Sequence, residues 1–249
     1  MDVNKDVTSR ICVIVPTYNN GGTLTTVVND IRNYIKDIII VNDGSTNNTL
    51  ETLHSLEDIT IVTHNVNKGK GAALVSGFRK AKTLGYTHAL TIDADGQHFA
   101  SDIPRFLDDY ENKGLIIGYR NLTEENMPGQ NTFANKFSDF WFKLQTLIDL
   151  PDTQSGFRLY PLNSLCGLTF ITSRYESELE LLVFAAWSGC KISTIPICVY
   201  YPPEGERVTH FRPIYDFIRI TVLNIILCLL ALVYGWPRTI ARRISNSLS

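Results

Sequence analysis

The chain has 249 residues, enough for one large domain or a domain with an appendage, and for a sizeable buried core. Its 44% hydrophobic and 19% charged residues exclude a disordered chain, and a net charge of −2 excludes general nucleic-acid binding, which needs a basic face. The five cysteines (Cys12, Cys166, Cys190, Cys198, Cys228) have no zinc-like spacing and read as thiols of a reducing compartment.

Residues 1–10 are polar, so no secretory signal is expected and the cytosolic side of a membrane is the default. Residues 11–15 are an apolar, β-branched run closed by Pro16, the pattern of a buried strand. Residues 23–34 carry Leu24, Val27, Val28 and Ile31 at helical spacing, with Thr23 as a plausible N-cap. Strands at 37–41, 59–63 and 89–92 then alternate with helices at 49–56 and 71–84. This alternation predicts an α/β fold with a mostly parallel, doubly covered sheet. Ligands of such sheets bind at the carboxyl ends of the strands. The unusual residues stand there: 16–20, 42–45, 65–71 and 93–97.

After residue 115 the pattern loosens. A strand at 115–119 ends at Arg120, and a polar loop at 121–130 precedes an aromatic helix at 133–147. A loop at 152–156, a strand at 157–160, a helix at 177–188, a strand at 191–201 and a charged loop at 202–210 follow. Residues 220–236 carry no charge. At about 1.5 Å per residue this run is at the lower edge of what spans a bilayer. Arg212 and Arg219 flank it on one side, Arg238, Arg242 and Arg243 on the other. A simple span would put one cluster outside, against the positive-inside tendency. A re-entrant or interfacial helix keeps both at the anionic cytoplasmic face, and a buried core helix is the alternative. Membrane association is expected, with its geometry open.

Asp93 and Asp95 stand one residue apart at the end of an apolar run. A strand would point both to the same side, where two like charges need a cation or a shared proton. Hard carboxylate oxygens suit Mg²⁺ or Mn²⁺, whose shell substrate phosphates complete, so a diphosphate-bearing substrate is expected. A calcium loop does not fit, since His98 and Pro104 stand where that motif needs Gly and Glu. His98, beside the pair, is a candidate supporting residue. Asp43, before Gly44-Ser45, is presented by a tight turn and could accept hydrogen bonds from a base or ribose. Asn67-Lys68-Gly69-Lys70-Gly71 opens a helix with basic and glycine residues that favour an anion, although its spacing is not that of a phosphate-loop motif.

Together these segments resemble the inverting family-two glycosyltransferases, most closely the dolichol- or polyprenyl-phosphate mannosyl/glucosyltransferase branch. The resemblance runs through Val13-Ile14-Val15-Pro16-Thr17-Tyr18-Asn19, Val41-Asn42-Asp43-Gly44-Ser45-Thr46, Asn67-Lys68-Gly69-Lys70-Gly71-Ala72-Ala73, Asp93-Ala94-Asp95-Gly96-Gln97 and Asp152-Thr153-Gln154-Ser155-Gly156-Phe157-Arg158-Leu159-Tyr160. It implies a GT-A fold over residues 1–212, followed by a membrane-associating helical segment over 213–249. It further implies a UDP- or GDP-linked sugar donor and a lipid acceptor. By this resemblance Pro16, Thr17, Tyr18 and Asp43 hold the nucleoside, with Lys70 at the donor. Asp93, Asp95 and Gln97 hold the metal and diphosphate. Arg120, Arg158, Arg207 and His210 surround the phosphates or the acceptor. Asn20 departs from the Glu of many relatives, which leaves uridine and guanosine both open.

The acceptor decides the need for a base. A lipid phosphate is already ionised, with a second pKa of about 6, whereas a hydroxyl must lose its proton to a base. Glu176, Glu178 and Glu180 are the candidates, and Glu178 is chosen because that part of the helix enters the site in relatives. The expected activity is hexosyl transfer to polyprenyl phosphate, with Asp95, Glu178 and Arg158 carrying the chemistry. Transfer to a hydroxyl of a glycan or glycolipid, or nucleotide-sugar binding without catalysis, are the alternatives.

Overall fold

The computed structural model describes residues 10–108, 110–120, 129–165, 172–174, 176–201 and 213–247. The apolar β-branched runs form strands β1 (Ile11–Thr17), β2 (Ile38–Asn42), β3 (Thr60–Thr63) and β4 (His88–Thr91). Between them lie helices α1 (Gly21–Arg32), α2 (Thr49–Ser55) and α3 (Lys70–Thr83). Two short helices, α4 (Ile103–Leu107) and α5 (Tyr110–Lys113), lead to β5 (Leu115–Arg120). Helix α6 (Gly129–Thr146), β6 (Arg158–Pro161), α7 (Glu176–Ser188) and β7 (Ile192–Ile197) follow.

The seven strands form one sheet in the order β3-β2-β1-β4-β6-β5-β7. Alternation along β1 sends Ile11, Val13 and Val15 into a core layer with α1, while Cys12 and Ile14 face a second layer with α3 and α7. The sheet is mixed: β6 runs antiparallel to both β4 and β5, with Arg158 opposite Thr91 and Ile117. An antiparallel strand begins where its parallel neighbours end, so β6 delivers residues 152–157 to the carboxyl edge of the sheet.

Several boundaries differ from the sequence reading. Pro16 continues β1, paired with Val41 in the parallel ladder. Helix α1 starts before Thr23, whose hydroxyl donates instead to the Ala94 carbonyl at 2.5 Å. The strand expected to reach residue 201 stops at Ile197, opposite Arg120, because β5 ends there and offers no further partner. The chain then continues as an isolated bridge between His98 and Val199.

The C-terminal apolar run is one continuous helical rod: α8 (Pro213–Leu230), a π-turn at Ala231–Gly235, and α9 (Trp236–Ser247). Leu223, Leu227 and Ala231 belong to the same buried cluster as Phe142 and the apolar face of α7. The Trp187 indole occupies the π-turn so closely that a Cβ on Gly235 would lie 2.3 Å from its nitrogen. The rod therefore packs against the helices that precede it.

Candidate active site

Strand β4 ends at Thr91, so Asp93-Ala94-Asp95 form a turn beyond the strand and strand alternation does not set their directions. Local hydrogen bonds do. Asp95 Oδ1 accepts the Gln97 amide at 3.0 Å, as a short acidic side chain does in a turn. The Gln97 carbonyl accepts the Tyr200 amide at 2.8 Å. The turn is therefore pinned from α1 through Thr23 and from the chain after β7.

Lys70, the first residue of α3, places its ammonium 2.7 Å from Asp93 Oδ1 and 3.0 Å from Glu178 Oε2 in the first turn of α7. Gly156 closes the back of this cluster: a Cβ there would sit 2.5 Å from Asp93 Oδ2 and 2.9 Å from Lys70 Nζ. Burial works against ionised Asp93, but Lys70 prevails and holds its carboxyl below the usual range. Burial opposes the charge on Lys70 as well, yet Asp93 and Glu178 push its pKa up. Burial first, and then the Asp93 charge, push Asp95 up to about 6. Burial lowers His98 to about 4, so it is neutral at pH 7.

Asp95 thus has a folded-state pKa above its unfolded value. Its contribution is fully present below the unfolded value and is lost as pH rises through about 6. Asp95→Asn is accordingly expected to stabilise the unliganded protein at pH 7.5 by about 1–2 kcal/mol, or roughly 2–6 °C in Tm, and to leave it unchanged near pH 4. Thermal scans at the two pH values check this. An equal or lower Tm at pH 7.5 would contradict the repulsion.

The other expected residues fall into two groups. Asp43 is buried, and its carboxylate accepts the Lys68 amide at 2.9 Å, the Gly69 amide at 2.7 Å and His64 Nδ1 at 2.7 Å. It therefore holds the glycine-rich loop in place at the same time as it faces the sheet edge. Thr17 and Asn42 lie opposite each other in the ladder, both buried, with Thr17 Oγ1 and Asn42 Nδ2 unpartnered. Pro16 and Tyr18 are half-buried beside them. Asn20 Oδ1 accepts the Tyr18 amide at 3.2 Å, a local brace for the turn before α1.

Arg120 and Arg158, expected around the phosphates or the acceptor, both have protein partners. Arg158 is fully buried. It donates to the carbonyls of Ser155 at 2.6 Å, Thr153 at 2.8 Å and Glu178 at 3.1 Å, and to the Tyr160 hydroxyl at 3.3 Å. It fastens the 152–156 loop to α7 behind the acidic cluster, because an antiparallel β6 points this side chain under the loop it has just left. Arg120 makes a two-pronged pair with buried Asp152, Nε at 2.7 Å and Nη2 at 2.9 Å. Arg207 and His210 lie outside the described residues.

Of the three glutamates, only Glu178 reaches Lys70. Glu176 receives Arg219 from α8 at 2.6 Å, and Glu180 accepts the Thr172 amide at 2.9 Å. Sequence reasoning missed two contributors. Asn19, at φ 58, laces the first two loops by donating its amide to Ser45 Oγ and accepting the Thr46 amide. An Asn after a strand-end Tyr carried that signal, since Asn tolerates the left-handed region. His64 links Asp43 to the Ser76 hydroxyl, 2.9 Å from its Nε2, and nothing local in the sequence marks it.

No group of three or more His, Cys, Asp or Glu side chains suited to a metal occurs among the described residues. A divalent ion here would take the Asp93 and Asp95 carboxylates and complete its shell with water and substrate phosphates, the usual manner of Mg²⁺. The donor set fits: two repelling hard-oxygen groups, one of them already neutralised by an ammonium.

Residues 12–165 match the family model for glycosyl transferase family 2. The chain is 33% identical over 215 residues to UDP-N-acetylglucosamine–dolichyl-phosphate N-acetylglucosaminyltransferase of Methanococcus voltae, covering 77% of this chain and 86% of that one. It is 28% identical over 209 residues to undecaprenyl-phosphate mannosyltransferase of Micrococcus luteus, covering 79% and 86%. Among solved structures, glucosyl-3-phosphoglycerate synthase from Mycobacterium tuberculosis, in complex with Mn²⁺, UDP and phosphoglyceric acid, superimposes with a TM-score of 0.68 at 18% identity, covering 91% of this chain and 80% of that one. Mannosyl-3-phosphoglycerate synthase from Rubrobacter xylanophilus gives a TM-score of 0.63 at 18% identity, covering 97% and 78%. The architecture is that of the GT-A fold.

Proposed function

The chain belongs to glycosyl transferase family 2, and from that premise we propose that it moves a hexosyl unit, with inversion, from a UDP- or GDP-linked sugar to polyprenyl phosphate at the cytoplasmic face of a membrane. The Lys70–Asp93–Glu178 cluster with Asp95 beside it, at the carboxyl edge of the sheet, carries this reading. A diphosphate leaving group gathers negative charge as the bond at sugar C1 breaks. Lys70 supplies a positive charge where that group arrives. Asp93, Asp95 and Gln97 would hold a Mg²⁺ or Mn²⁺ ion, which would supply Lewis-acid stabilisation of the same charge. Asp43 keeps the 67–71 loop in position and, with Pro16, Thr17, Tyr18 and Asn20, lines the nucleoside end. Arg158 and Arg120 act as positioning residues, through the 152–156 loop.

The acceptor assignment is supported by two observations. The two relatives named above act, by their names, on dolichyl and undecaprenyl phosphate. Glu178 Oε2 is 3.0 Å from Lys70 Nζ, so the carboxylate is committed to an ion pair and is poorly placed as a free base. A phosphate acceptor needs none, because it is largely ionised at neutral pH. Glu178→Gln is therefore expected to slow transfer to polyprenyl phosphate by less than about 10-fold, through the looser hold on Lys70. Loss of a true general base would cost about 10²–10⁴-fold. Steady-state transfer assays of the two proteins separate these outcomes, and the larger loss would favour a hydroxyl acceptor.

A further inference from the structure

The rod of α8 and α9 has two unlike faces. Leu223, Asn224, Leu227 and Ala231 are buried against α6 and α7. On the opposite side Ile218, Val222, Ile225, Leu229, Leu232 and Val233 are 51–75% exposed. Helix α6 runs beside the rod and adds Phe137, Phe140 and Leu144 to the exposed apolar surface. Exposed apolar side chains in this number mark an interaction site.

The rod is fastened to the catalytic domain along its length. Arg219 pairs with buried Glu176 near one end. Gln145 Nε2 donates to Asn224 Oδ1 at 2.8 Å, and Trp236 Nε1 to the Leu144 carbonyl at 3.0 Å. Near the other end Arg242 donates to the Trp187 carbonyl at 2.7 Å and Arg243 to that of Leu147 at 2.9 Å. From Arg219 to Arg242 the rod covers about 35 Å at 1.5 Å per residue, longer than the roughly 30 Å hydrocarbon core. A spanning placement would break these ties or draw α6, α7 and the buried Glu176 into lipid, where unpaired polar groups are costly.

We infer that the outer face of α8–α9 and the neighbouring face of α6 form one monotopic docking surface that lies flat in an anionic bilayer and does not cross it. Charge points to lipid as the occupant: residues 213–249 contain four arginines against one acidic residue, Asp216, and of the four Arg238 stands on the exposed side while Arg219, Arg242 and Arg243 tie the rod to the domain. So does composition. Protein–protein anchors favour Trp, Tyr and Arg over Leu and Val, whereas this face is Ile, Leu and Val, rimmed by Tyr215, Tyr234 and the Arg238 guanidinium 4.8 Å from the Tyr234 ring. Both arginine clusters then stay on one side of the membrane. The inference does not depend on the transfer reaction.

Two measurements test it on the full chain. Tags at both termini should be digested by protease added to inside-out vesicles from expressing cells, and protection of either tag would mean a span. Purified protein should float with phosphatidylglycerol vesicles, far less with phosphatidylcholine. Leu229→Glu/Val233→Glu should lower the floated fraction at least about 10-fold, with far-UV circular dichroism and Tm retained. Phe140→Ser should weaken it too. Flotation unaffected by the double substitution would overturn the inference. So would a vesicle-free dimer that the double substitution dissociates, which would assign the face to a second copy.

Discussion

Asp95→Ala is expected to lower sugar transfer about 10²–10³-fold while leaving the protein folded, the loss typical of removing one preorganised stabiliser of transition-state charge. The side chain is a poor structural element. Its carboxyl is pushed up to about 6 by burial and by Asp93, so ionised Asp95 works against the unliganded fold. A group held at a cost to stability is one that repays it in the liganded state. Asp93→Ala should cost a similar factor but for a second reason as well, since it also frees Lys70 from its 2.7 Å contact. If the two carboxylates hold one ion, the double variant should be no slower than either single one by more than a few-fold. Initial rates over a Mn²⁺ titration check both points. Transfer by Asp95→Ala within threefold of the parent would sink the assignment.

Arg158→Met is expected to destabilise the protein by about 3–5 kcal/mol, a fall in Tm on the order of 10 °C. Methionine fills most of the volume but donates nothing. Three backbone carbonyls, of Thr153, Ser155 and Glu178, would then be left unpaired in a fully buried site. The same substitution should slow transfer, because the loop it releases carries Gly156, which packs against Asp93 and Lys70. Arg158→Lys should recover little, since one ammonium cannot reach three divergent acceptors. Urea unfolding monitored with the parent protein gives the comparison. A loss below about 1 kcal/mol would show that the hydrogen bonds contribute far less than their burial implies.

The strands and helices of the first hundred residues were legible because buried parallel strands are continuous β-branched runs and their helices have one apolar face. The direction of β6 was not. Four residues carry no signal of orientation, and only the ladder with β4 and β5 sets it. That one direction determines where Arg158 points, which is why it bonds the carbonyls of the 152–156 loop and of Glu178. Asp93 and Asp95 stand just beyond the end of β4, but their geometry is a turn's, fixed by Thr23 and the Gln97 amide. Lys70 and Glu178, 108 residues apart in sequence, meet at 3.0 Å only because α3 and α7 start at the same edge. The uncharged length of residues 220–236 showed an apolar helix. Which face it buries depended on Gln145, Glu176 and Trp187, whose positions belong to the tertiary structure.

The most direct test of the whole account is transfer in a defined membrane. Purified protein, Mn²⁺ and phosphatidylglycerol vesicles, with or without polyprenyl phosphate, are supplied in turn with radiolabelled UDP- and GDP-sugars. Label extracted with the lipid is then counted. Lipid-extractable label is expected with one donor, only when polyprenyl phosphate is present, and should be lost on chelation or with Asp95→Ala. Label that appears only as free sugar, or that passes equally to polyprenol, would contradict the proposed function.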